Sequence, residues 1–293
     1  MKNFFKGFGL CLVAFLVFVV MQAVVANIIQ MPMGYQAAKE LGIEAKEKGI
    51  EMTRQEIMEE GNKRVAERYA PFALPAAEIG GLCAVGIFAL VALIRKKKVS
   101  EALGFKKVPG SAFGVAAILA VLYNSIAMGF IAIVNMFSTS YQEASSAVLS
   151  GNMIVTAICA VICAPIIEEI IFRAVAFRGS KTMLPKIVAA IIASGFFALA
   201  HGSSIAWIAY TFVMGLIACY LVEKYDSILP SILFHVGFNL LGSLVLPYCP
   251  GIVVIAYIIL GTVASAVLGV VMIVKAAKNK ANGSKRPEIV TAA

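Results

Sequence analysis

Eight apolar runs, each near the length that spans a bilayer, constrain this chain more than any other feature. A transmembrane helix needs about 20 predominantly apolar residues. Runs of that kind occupy roughly 7–30, 71–94, 113–137, 152–177, 186–202, 205–222, 227–246 and 251–275. The fifth and sixth are short and only HGSS separates them. The chain is 61% hydrophobic and 14% charged, where a soluble globular protein carries about 25% charged residues. The expectation is an all-α, polytopic transmembrane helix bundle of about eight spans, an integral multi-pass protein surrounded by lipid bilayer. The opening MKNFFK resembles the start of a signal peptide. Its apolar run exceeds the roughly 7–15 residues of a signal core, so it reads as an uncleaved first span.

Charge placement orients this bundle. The net charge is +9, but the basic residues cluster at the ends of apolar runs and form no basic domain. Nucleic acid is therefore excluded as a partner, and cytoplasmic juxtamembrane placement explains the charge. With the N-terminus inside, the cytoplasmic segments hold Lys2, Lys6, Arg95, Lys96, Lys97, Lys98, Lys106, Lys107, Arg178, Lys181, Lys186 and Lys224, and five more between 275 and 286. The outer segments 138–151, 203–204 and 247–250 hold none. The expected topology is N-in/C-in, in the plasma membrane if the source is bacterial.

One segment disagrees. Residues 31–70 would lie outside with seven Lys/Arg and eight Glu. Inverting the chain would mend this segment and spoil the others. Its Glu–Lys neighbours at helical spacing predict a solvated charged helix or helical hairpin, either a surface element or a cap over an entrance. The chain divides accordingly. Residues 1–110 hold two spans, this loop and a basic linker at 95–110; 111–276 form the core; 277–293 form a flexible basic tail.

Ionisable groups at membrane depth are costly and mark function. The fourth run contains APIIEEIIFR, with Glu168, Glu169 and Arg173. Glu169 and Arg173 are one turn apart and share a helix face. Glu168 is rotated by about 100°, so it is free to point elsewhere. His201 ends the fifth run, one turn after Phe197, and His235 lies in the seventh, one turn before Asn239. A glutamate and an imidazole can hold and activate a water. An imidazole and an amide can donate to an oxyanion.

Each motif alone has a plainer reading. Glu168, Glu169 and Arg173 would form a structural ion cluster, His201 a satisfied helix end, and His235 with Asn239 an interhelical clamp. Glu78 reads as a packing or interfacial residue, and Cys159 and Cys163 as packing. No CxxC pair is present. Ser194 lacks a GxSxG context, and Asp226 is the chain's only aspartate, which excludes a paired-aspartate protease.

Together these motifs resemble the CAAX prenyl protease and bacteriocin-processing family of intramembrane proteases, also described as abortive-infection or immunity proteins. EExxxR matches Glu168-Glu169-Ile-Ile-Phe-Arg173, FxxxH matches Phe197-Ala-Leu-Ala-His201, and HxxxN matches His235-Val-Gly-Phe-Asn239. A Phe/Gly segment between the last two is similar to Phe212-Val-Met-Gly215. The resemblance covers roughly 115–245 and leaves the first 110 residues outside.

The resemblance implies that Glu168 activates water with help from His201, that His235 and Asn239 stabilise the oxyanion, and that Glu169 and Arg173 support them. A metal reading of the same family makes Glu168, His201 and His235 zinc ligands. No HExxH is present, and the asparagine suits oxyanion work better than ligation, so the favoured expectation is no cofactor. The implied partner is a membrane-associated peptide or protein, cleaved near the cytoplasmic face. A different class remains: a non-catalytic immunity or scaffold protein, or a glutamate-dependent transporter. No inverted repeat supports transport.

Overall fold

The computed structural model describes residues 2–139, 142–143, 151–202 and 204–283. Among these residues the chain is helical without a strand. Helix α1 is Lys2–Lys48, α2 Arg54–Tyr69, α3 Ala73–Ile94 and α4 Gly110–Asn135. Helix α5 is Met153–Ser180, α6 Lys186–Ala200, α7 Ile205–Tyr225, α8 Leu229–Tyr248 and α9 Gly251–Gly283. Among the described residues seven helices are long and apolar enough to cross a membrane, with α2 and α3 counted as one. The eighth expected span is α6, whose 15 residues reach only about 22 Å at 1.5 Å per residue.

The charged segment 31–70 forms the helical hairpin that its spacing predicts. Its first arm is not a separate helix. α1 continues through Pro32 to Lys48, about 70 Å in all and well beyond a bilayer core of about 30 Å. Gly49, at φ 64°, supplies the left-handed backbone for the reversal. Thr53 and Glu56 then form a capping box that starts α2. Arginine joins the arms. Arg64 donates twice to Glu44, at 2.8 and 2.9 Å, and Arg68 pairs with Glu40. These hydrogen bonds hold the Glu44 carboxyl below its usual pKa and push Arg64 up. At the other end, α9 carries residues 277–283 of the expected tail as helix, and 284–293 lie outside the described residues.

α5 is the centre of the bundle. Ile167, Ile171, Phe172 and Phe177 on it are almost fully buried. Small residues let the helices approach, as membrane interfaces require. A Cβ on Gly80 would meet the Gln22 backbone at 2.5 Å, and one on Gly215 would meet Ser194 Cβ at 2.7 Å. Gly80 therefore sets the α1–α3 distance and Gly215 the α6–α7 distance. The many exposed apolar side chains, such as Ile28, Leu93 and Ile187, face outward, where lipid is their natural solvent.

The basic connections converge on one end. Asp226, at φ 49°, ends α7 and pairs with Lys106 and Arg178. Glu223 pairs with Lys181 at 2.7 Å and with Lys186.

Candidate active site

The site forms where α5 departs from regular α-helix. The turns Cys159–Cys163 and Glu169–Phe177 are π-helical, a wider winding that recurs at functional sites. The N–H of Ala164 goes back five residues to Cys159, which deprives the Ala160 carbonyl of its α-helical partner. The next residue is Pro165, which has no N–H to offer. The Asn239 side chain fills the gap and donates to Ala160 O at 2.8 Å. This fixes α8 against α5.

The adjacent acids diverge as their register requires. Glu169 is fully buried. It pairs with Arg173 at 3.1 Å, one turn on, and accepts from His235 Nδ1 at 3.1 Å. The Arg173 guanidinium lies 4.1 Å over the Phe197 ring. Glu168 faces the other way, with Oε1 3.7 Å from His201 Nε2 and Oε2 3.7 Å from His235 Nε2. Phe197 packs edge-on to both imidazoles, with centroids 4.7 and 5.8 Å away.

The hydrogen bonds settle how the rings are presented. His201 Nδ1 lies 2.9 Å from the Phe197 carbonyl, which can only accept, so Nδ1–H donates. His235 Nδ1 likewise donates to the Glu169 carboxylate. Both rings therefore turn Nε2 toward Glu168. A separation of 3.7 Å is too long for a direct hydrogen bond and suits a bridging water. Glu168 Oε2 is buried with no hydrogen-bond partner among the described residues.

Glu168 and the two imidazoles meet deep in the bundle. α5 runs on to Ser180, so Glu168 stands about 18 Å from the basic end at 1.5 Å per residue. His201 caps α6 at about 22 Å. Both lie near or beyond the middle of a core of about 30 Å, deeper than the expected cleavage close to the basic face.

From there a cavity of about 600 Å³ extends toward the opposite end of the bundle. Glu168, His201, His235 and Asn239 line it. So do Glu78 near the start of α3, Trp207 and Tyr210 near the start of α7, and Leu246 and Pro247 at the end of α8. Glu169 and Arg173 stand behind this wall. From the sequence Glu78 reads as a packing or interfacial residue. An acid in an apolar run was its only signal, and no motif surrounds it.

The metal reading needs Glu168, His201 and His235 to converge on one point at about 2.0–2.2 Å. Among the described residues no group of three His, Cys, Asp or Glu is placed to hold a metal ion.

Residues 149–241 match the family model described as Type II CAAX prenyl endopeptidase Rce1-like. The matched segment lies inside the region of resemblance and contains every residue from Glu168 to Asn239. No curated protein and no solved structure is matched by the chain.

Proposed function

We propose a reaction for a chain that belongs, through residues 149–241, to the CAAX prenyl protease and bacteriocin-processing family of intramembrane proteases. The reaction is hydrolysis of a peptide bond in a membrane-associated peptide or protein by water that Glu168 activates. One observation carries this reading: Glu168 sets its two oxygens against two imidazoles whose other nitrogens are already committed.

A water between Glu168 and the Nε2 atoms gives a proton to the carboxylate as its oxygen attacks the scissile carbonyl carbon. The carbonyl oxygen becomes an oxyanion. A protonated His235 donates Nε2–H to it, and the second N–H of the Asn239 amide donates beside it. Glu168 then passes its proton to the leaving nitrogen as the C–N bond breaks, and a carboxylic acid and an amine result. The charged state is balanced, because Glu168 and Glu169 offset Arg173 and His235. His201 positions the water, and no resident cofactor takes part. With the basic connections cytoplasmic, the cavity faces the outer leaflet and the substrate enters from that side.

The test is cleavage of membrane-tethered peptides, prenylated and plain, by the purified protein in nanodiscs. Glu168→Gln is expected to lower the rate by roughly 10²–10⁴ while helicity and thermal midpoint stay unchanged. If Glu168→Gln cleaves as the wild type does, the assignment of the base is wrong. Stoichiometric zinc in active protein, with activity lost to a chelator and restored by metal, would replace the metal-free step.

A further inference from the structure

The proposed reaction uses no group from the N-terminal third of the chain, yet one acid from that third lines the cavity. Glu78 is only 8% exposed and sits in the second turn of α3. Among the described residues no Lys or Arg lines the cavity, and the site's buried cation, Arg173, is taken by Glu169 and Phe197. Among the described residues no cation or hydrogen-bond donor engages Glu78. Its carboxyl borders the cavity, where ionisation without a nearby cation is costly. A positively charged occupant of the cavity lowers that cost.

The register between helices says where this occupant sits. Gly81 on α3 abuts Ile167 on α5, since a Cβ on Gly81 would meet Ile167 Cγ2 at 2.7 Å. Glu78 is three residues from Gly81 toward the cavity's outer end, and Glu168 is one residue past Ile167 toward the basic end. The two acids are thus about 6 Å apart along the bundle axis at 1.5 Å per residue. An extended peptide advances about 3.3 Å per residue, so Glu78 lies opposite a position about two residues from the scissile carbonyl.

We infer that Glu78 is a specificity-determining residue that receives a lysine or arginine side chain one to three residues from the scissile bond, on the side facing the cavity's outer end. This rests on the proteolytic reading of the same cavity.

The test is a scanning series of membrane-tethered peptides with lysine or norleucine at each position around the cleaved bond. For the wild type, one position within three residues is expected to favour lysine by roughly ten- to hundredfold in kcat/KM, mostly through KM. Glu78→Gln should bring that ratio close to one, and Glu78→Lys should shift preference toward glutamate at the same position. A wild type without any lysine preference overturns the inference. So does a Glu78→Gln variant that keeps the preference, or one that lowers kcat equally for both peptides, as a general acid or structural residue would. Binding of the same peptides to wild type and Glu78→Gln is measured in parallel. If the wild type cleaves nothing, the proteolytic reading fails. The lysine-to-norleucine binding ratio then still decides Glu78, because a ratio near one in the wild type overturns the assignment.

Discussion

Arg64 in the N-terminal hairpin and Arg173 in α5 each follow a glutamate by one helical turn. Arg64 sits 3.3 Å from Glu60 and Arg173 sits 3.1 Å from Glu169. In sequence the two motifs look alike. In the fold they differ in surroundings: the Glu60 side chain is 40% exposed, and those of Glu169 and Arg173 are 0% and 1% exposed. Helical spacing therefore reveals that two charges meet, and burial decides what the meeting is worth. In the hairpin water solvates both partners, so the pair adds little. In α5 neither charge has water to fall back on, so each depends on the other.

Removing one buried partner should produce the largest effect. Arg173→Met leaves Glu169 facing His235 without its cation and should cost about 3–5 kcal/mol, read as a lowered midpoint on denaturation in mixed micelles. The double variant Glu169→Gln/Arg173→Met should recover most of that loss. If the double variant is as unstable as the single one, the cost lies in lost packing against Phe197 and not in the stranded charge.

Glu169→Gln alone tests what the buried pair does for chemistry. The amide weakens the acceptor that holds His235 Nδ1–H and removes the charge that offsets Arg173. The rate should fall on the order of 10², less than for Glu168→Gln, with the loss in kcat more than in KM. An effect on KM alone would show that Glu169 does not act through His235.

The same contrast shows which parts of the molecule can be read from residue order. The spans follow from apolar runs, and the divergence of Glu168 from Glu169 follows from a 100° step. The family resemblance of three motifs implies that His201 and His235 share a site with Glu168, and both imidazoles face it at 3.7 Å. Other features depended on non-local geometry. Nothing in the apolar residues announces that α1 outruns the membrane as a single helix. The π turns change hydrogen-bond register without a composition signal apart from Pro165. The tie from Asn239 to Ala160 exists only because that change leaves a carbonyl without its partner. Glu78 looks like any stray acid until α3 packs beside α5 and sets it in the same cavity as Glu168.

The smallest effect belongs to the hairpin. Arg64→Met removes the bidentate contact with Glu44 and the one-turn contact with Glu60, all of it in reach of water. The change in midpoint should be far below that of Arg173→Met, and it should vanish in about 1 M salt, where screening reaches only about 3 Å. Its pH dependence has a definite sign. The Glu44 carboxyl is held below its usual value by the hydrogen bond from Arg64. Its contribution is therefore complete above the unfolded value of about 4.3 and is lost as the pH falls through the lower folded value. Wild type and Arg64→Met should differ slightly at pH 7, and the difference should shrink as the pH falls through the lowered Glu44 value. A salt-resistant loss as large as that of Arg173→Met would mean that the hairpin's pairs are buried in the membrane-embedded protein, and the contrast between the two regions would fail.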